Sequence, residues 1–209
     1  MHAIGTGESL TRSVEDYLKA IYRLAPAGEP AATSGIAQLL EVSAPSVSGM
    51  VKRLSEQGLL EHVPYRGVVL TPEGRRAALR MLRRHRLIES YLVDFLGYSW
   101  DAVHDEAERL EHAVSDTLVE RMAAALGDPT VDPHGDPIPT AAGDIAEVAA
   151  LPLSEMPVGA TVEIRRVKVG DPDRLRYLAE LGLTPRARVT VLRRQPFDGP
   201  LGVETRRQR

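Results

Sequence analysis

A chain of 209 residues, 43% of them hydrophobic, is long enough for one large domain or two small ones with real cores. It has no cysteine, which excludes disulfides, thiolate metal sites and cysteine nucleophiles. The net charge of −3 hides a segregation that favours an anionic partner near the N-terminus and a cation in the middle: residues 1–90 carry 12 basic and 9 acidic side chains, 91–150 carry 2 and 13, and 151–209 carry 12 and 7.

No apolar run approaches the ~18 residues of a membrane span. The opening MHAIGTGESLTRS has neither the basic start nor the apolar stretch of a secretion signal, so a cytoplasmic protein is expected. In chain order, Val14, Leu18, Ile21 and Tyr22 recur at helical spacing, which predicts an amphipathic helix over 12–25 closed by Pro26 and Gly28. Ser34 can cap a short helix ending near Glu41. After a tight turn over 42–44, Pro45 opens a second helix that stops at Gly58. Helix, short turn, helix is a DNA-reading arrangement, and Ser43, Ser46 and Ser48 give the second helix a small polar start. LLEHVPYRGVVLT then alternates around a turn at Tyr65-Arg66-Gly67 and reads as a two-stranded wing.

Residues 52–86 hold nine bases against three acids, and Lys52, Arg53, Arg66, Arg75 and Arg76 can supply phosphate contacts. The candidate DNA-facing set is Ser43, Pro45, Ser46, Ser48, Gly49, Lys52, Arg53 and Arg66. A small helical domain using the same geometry only for packing is the bland alternative. A long helix is predicted from Pro72 to Leu96, then a further one from about residue 102 to Leu126. The Pro-, Gly- and Asp-rich stretch over 127–150 reads as a linker. After Leu151, ATVEIRRVKV and ARVTVLRR alternate like strands around one short helix, so a small β-barrel is expected.

The helix after residue 102 carries an unusual stripe. At ~100° per residue, His104, Glu108, Glu111 and His112 share a sector roughly 100° wide, at spacings where helical side chains meet. Two glutamates packed this closely repel unless a proton or cation intervenes, and imidazole with carboxylate suits a divalent metal. His85 and Glu89 form another i,i+4 pair on the preceding helix. A solvated acidic face with incidental histidines is the duller explanation. Asp16 could simply close a capping box from Ser13, His85 could pair with Glu89 at the surface, His104 could hydrogen-bond near Asp101, and Asp171 in Gly-Asp-Pro-Asp could be a turn residue. His62 and His134 read as surface or packing residues.

Taken together, VEDYLKAIY (14–22), VSAPSVSGMVKRL (42–54), RHRLIESYL (84–92), VHDEAERLEH (103–112) and HGDPIP (134–139) resemble the diphtheria toxin repressor family of metal-dependent transcriptional repressors, which includes the manganese transport regulators. The resemblance covers nearly the whole chain. It implies a mainly α fold with small β parts: a winged helix-turn-helix domain over 1–76, a helical metal-binding and dimerisation domain over 77–126, the linker over 127–150, and an SH3-like, ferrous-transport-type module over 151–209. It also implies two metal sites per subunit. Asp16, Glu108, Glu111 and His112 match the regulatory site; His85, Glu89 and His104 match the second, with Asp171, or failing it Asp173, as the nearest ligand from the C-terminal module.

Iron-type members place a thioether and a thiol where this chain has Asp16 and Glu108, and exchanging sulfur for carboxylate favours a harder ion. Manganese(II) is therefore the expected activator, with iron(II) the alternative and cobalt(II), nickel(II) or zinc(II) possible substitutes. Compact manganese regulators carry a further glutamate one turn after the aspartate. Here that position is Lys19, which favours two separate sites over a dinuclear cluster. Gly49 stands where some members have a base-reading glutamine. The expected protein is a homodimeric repressor of metal-uptake genes on palindromic double-stranded operator DNA, not an enzyme, with no organic substrate and no membrane partner. A winged-helix regulator answering to an organic ligand is the rival. A metallohydrolase is disfavoured because the chain has no HExxH and does carry a DNA-reading motif.

Overall fold

The computed structural model describes residues 10–146, 149–168, 171–197 and 199–205, which fall into two compact units. The first comprises residues up to Arg83 together with Thr140–Asp144; the second comprises Arg84–Pro139 and the chain from Ile145.

In the first unit, α1 (Arg12–Leu24) and α2 (Thr33–Leu39) pack against each other, and α2 packs on α3 (Ala44–Glu56). Strands β1 (Leu60–Val63) and β2 (Gly67–Leu70) pair antiparallel, with Leu60 opposite Leu70 and Val63 opposite Gly67. This is the expected winged helix-turn-helix. Its apolar positions are spaced to face inward, so that Leu18, Ile21, Ile36, Val47, Leu54 and Val68 are all fully buried.

The predicted cap at Ser34 is corrected: α2 starts at Thr33, and its N-cap is Ala32, extended and without a side-chain cap bond. A backbone bridge explains the shift. Ala31 exchanges hydrogen bonds with Val68 at 2.8 and 3.0 Å, which draws the chain before α2 onto the wing. Gly67 makes this possible, because its φ is +120° and an added Cβ would lie 2.0 Å from the Ala31 carbonyl oxygen. Gly67→Ala is therefore expected to cost roughly 3 kcal/mol or more from the backbone strain and the forced separation of wing and bridge. A thermal melt checks this, and an unchanged Tm would contradict it.

The boundary between the units falls inside α4 (Pro72–Leu96), whose bounds are those predicted. The expected continuous helix to Leu126 is broken into α5 (Val103–Leu110) and α6 (Asp116–Ala125). Ser115 causes the restart: its extended backbone and its hydroxyl, accepting the Leu118 N–H at 3.2 Å, make it an N-cap. Two apolar clusters hold these helices, one of Leu87, Val119, Ala123 and Ile138, the other of Ile88, Leu92, Val103 and Ala107. Ile138 shows that the first half of the Pro-rich stretch is part of the helical core.

The C-terminal part has a three-stranded antiparallel sheet in the order β3 (Thr161–Glu163), β4 (Arg188–Arg194), β5 (Leu201–Thr205), with α7 (Pro172–Glu180) between β3 and β4. Leu175, Val189 and Val191 form its buried interior. Among the described residues, no helix is long and apolar enough to cross a membrane.

Candidate metal centre

Helix α4 places His85 and Glu89 one turn apart on one face, and both are buried. Helix α5 presents His104 and Glu108 toward them, and its C-cap is Glu111. The Glu111 carboxylate is 0% exposed, so it requires compensation inside the protein. Its Oε2 lies 2.6 Å from His85 Nδ1, and its Oε1 lies 3.3 Å from His112 Nε2. On its other side, His85 Nε2 is 3.0 Å from Glu89 Oε1 and 3.0 Å from His104 Nδ1, while His104 Nδ1 is 2.9 Å from Glu89 Oε1. Glu108 Oε1 stands 3.6 Å from His104 Nε2 and 3.9 Å from His85 Nδ1. The predicted helical ligands of this unit thus converge, linked through His85.

Burial lowers the pKa of His85, but the hydrogen bonds and charges of Glu111 and Glu89 outweigh it and hold the imidazole above its ordinary value. Burial would likewise raise Glu89, yet hydrogen bonds from His104 and His85 hold it well below the usual carboxylate range. Donor atoms of His85, His104 and Glu108 lie within 4.8 Å of one another, close enough for one ion.

A second grouping was missed in the sequence: Glu89, Asp132 and His134, all buried, also bring donor atoms within 4.8 Å. His134 is therefore no surface residue. Its backbone N–H and that of Asp136 donate to Asp132 Oδ1 at 2.8 and 2.9 Å, a turn that tucks both side chains inward. Its Nε2 lies 2.7 Å from the Trp100 carbonyl oxygen, and its Nδ1 lies 3.9 Å from Glu89 Oε2. Burial, together with Glu89 and Asp136, pushes the Asp132 carboxyl up to about 6, against the pull of Arg86 at 3.4 Å. The Asp-Pro-His spacing inside an otherwise linker-like stretch was the available signal.

Asp16 lies half-buried on α1, in the first unit. Asp171 caps α7, its Oδ1 accepting the Arg174 N–H at 3.0 Å, and stands in none of the ligand groupings among the described residues. The fallback, Asp173, is exposed and pairs with Arg176 at 2.9 Å.

On α3, Ser43 is the N-cap, accepting the Ser46 N–H at 3.3 Å. Val47, Val51 and Leu54 are buried, which turns Pro45, Ser46, Ser48, Gly49, Lys52 and Arg53 to the exposed side. Gly49 has open space around it, so nothing in the fold requires its missing side chain. Arg66 is exposed beside the wing turn.

An exposed recognition helix beside a wing suits a duplex, and buried imidazole–carboxylate clusters suit a divalent cation; a protein with both is a metal-responsive DNA-binding regulator. Comparison with known proteins agrees. Residues 9–68 match the iron dependent repressor N-terminal DNA binding domain, 71–140 the iron dependent repressor metal binding and dimerisation domain, and 151–209 the FeoA domain.

The chain is 38% identical over 194 residues to the iron-dependent repressor IdeR of Mycobacterium leprae, covering 87% of this chain and 84% of that protein. It is 37% identical over 164 residues to the diphtheria toxin repressor of Corynebacterium diphtheriae, covering 78% and 73%. Among solved structures, a manganese-dependent transcriptional repressor in complex with manganese superposes with a TM-score of 0.82 at 46% identity, over 92% of this chain and 89% of that one. The manganese regulator SloR gives 0.75 at 36% identity, over 94% and 91%. The chain belongs to the iron-dependent, or diphtheria toxin, repressor family and is a metal-dependent transcriptional repressor rather than an enzyme.

Proposed function

We propose that this chain is a manganese(II)-activated homodimeric repressor, working in the cytoplasm on palindromic operators of metal-uptake genes. The observation that carries the choice of metal is the donor chemistry. The donors grouped around His85, namely Glu89, His104, Glu108 and Glu111, are carboxylates and an imidazole, the chain has no cysteine, and carboxylate-rich sets favour harder divalent ions. Its similarity to manganese-dependent repressors of known structure supports the same choice. Iron(II) is the second reading, favoured by the iron-dependent sequence relatives.

Two sites per subunit are proposed. Glu111 and His112, with Asp16 and Glu108 assigned from their motif matches, form the regulatory set; Glu108 also brings a donor within 4.8 Å of His85 and His104. His85, Glu89 and His104 form the second, and Asp132 and His134 offer Glu89 an alternative partnership. A bound divalent ion supplies the positive charge that lets these carboxylates stand together. Ligands carried by α1 and by the α5–α6 turn then favour the arrangement in which both recognition helices of a dimer reach major grooves one turn apart. By linkage, operator binding tightens metal binding by the same factor.

Operator binding titrated anaerobically with Mn(II) and with Fe(II) tests this. Stimulation at lower free Mn(II) than Fe(II) is the expected result. The reverse order would transfer the role to iron, and no response to either would remove both ions from the role of activator.

A further inference from the structure

We infer that Arg84 is a positioning residue for the regulatory ligands, holding the turn that presents Glu111 and His112; this rests on the ligand reading above. Helix α5 ends at Leu110 and α6 begins at Asp116, and the two ligands sit at the start of the gap. Carbonyls at a helix C-terminus lack intrahelical partners. The Glu111 carbonyl oxygen accepts from Arg84 Nη1 at 3.1 Å, while Nη2 of the same guanidinium donates to Asp116 Oδ1 at 2.6 Å. One rigid, planar fork therefore spans the break.

The charges are correctly placed at both ends, with a cation at the C-terminus of α5 and an acid at the N-terminus of α6. The Arg84 side chain is 16% exposed and that of Asp116 is 82% exposed. In water such a pair contributes little stability, so its value is geometric. The next residue on α4, His85, holds the Glu111 carboxylate at 2.6 Å. Consecutive residues of one helix thus hold Glu111 by its main chain and by its side chain. Arg84 has no lone pair to offer a metal, so it acts only through the residue it holds. Lysine, with a single ammonium, does not reproduce the two-armed grip.

The test compares Arg84→Ala, Arg84→Lys, Asp116→Ala and the double alanine variant with the unaltered full-length chain and with His112→Ala. Mn(II) affinity is read by chelator competition and ligand geometry by Co(II) visible absorption. Arg84→Ala is expected to lower Mn(II) affinity about tenfold or more and to change the Co(II) spectrum, as loss of an orienting partner does. Arg84→Lys should fall between, Asp116→Ala should move the same way by less, and the double variant should be no weaker than Arg84→Ala because the two act through each other.

If His112→Ala loses metal while Arg84→Ala keeps ordinary affinity and spectrum, the inference is overturned. Should Arg84→Ala not fold, ordinary values for Asp116→Ala overturn it equally. An Mn(II) stoichiometry per subunit left unchanged by His112→Ala would instead overturn the ligand reading beneath it.

Discussion

Glu111→Gln and His112→Ala are expected to abolish metal-stimulated operator binding, lowering it by about a hundredfold or more, while the protein stays folded. Substituting outer partners of a metal site costs roughly 10–100-fold in affinity, and a ligand itself stands at or above that upper bound. Glutamine is the informative choice at position 111. The carboxylate is wholly buried and bonded to His85, so deletion to alanine would leave that imidazole short of a partner and open a cavity. Glutamine keeps the shape and an acceptor oxygen but removes the charge. The His112 side chain is only 9% exposed, so its truncation also removes packing in the turn and the folding control is essential. Gel shift at saturating Mn(II), with circular dichroism as the control for folding, reads both variants. Wild-type stimulation in folded Glu111→Gln and His112→Ala would remove these residues from the regulatory set.

The second large effect is on pH. His85 faces a carboxylate oxygen from each ring nitrogen, at 2.6 and 3.0 Å, and these two acceptors favour its charged form. The groups facing it are Glu89 on the same helix and His104, Glu108 and Glu111 from α5 and its cap. Because its pKa is raised in the folded chain, its contribution to stability without metal is fully present below about 6.5 and is lost as pH rises through the raised value. Asp132, pushed up to about 6, acts in the same direction from its ordinary 3.8 upward. Glu89 is depressed and works the other way: its contribution is present above 4.5 and is lost as pH falls further. Metal-free protein should therefore melt progressively lower as pH rises past 6.5.

Metal affinity should move oppositely. A histidine ligand must lose its proton, so Mn(II) affinity should climb by up to about tenfold per pH unit while His85 is still protonated. Calorimetry in buffers of different ionisation enthalpy would count the released proton. A His85→Gln variant should lose that increment from the pH slope; an identical slope would show that the proton comes from elsewhere.

Much of this architecture was readable from short-range pattern. The bounds of α4, the opening of α3 around Pro45, and the wing turn before Gly67 are each set by residues within a few positions of one another. The same local logic contained the break at Ser115, a capping residue that the strong helical stripe over 104–112 concealed. At Ser34 it failed for a different reason, since a distant strand residue, Val68, sets where the preceding chain runs.

By itself, the sequence determined the kinds of element, the segregation of charge, and the helical positions of His85, Glu89, His104 and Glu108. Periodicity and capping are local properties that the backbone enforces wherever the chain goes. Only the tertiary structure decided that Glu89 stands between His85 and His104 on one side and Asp132 and His134 on the other, that one imidazole links Glu111 to Glu89, and that Arg84 holds both sides of the helix break. Those meetings join residues far apart in the chain. They depend on how α4, α5 and the 131–138 turn pack around Leu87, Ile88 and Ile138, where burial makes each carboxylate find a cationic or hydrogen-bonding partner.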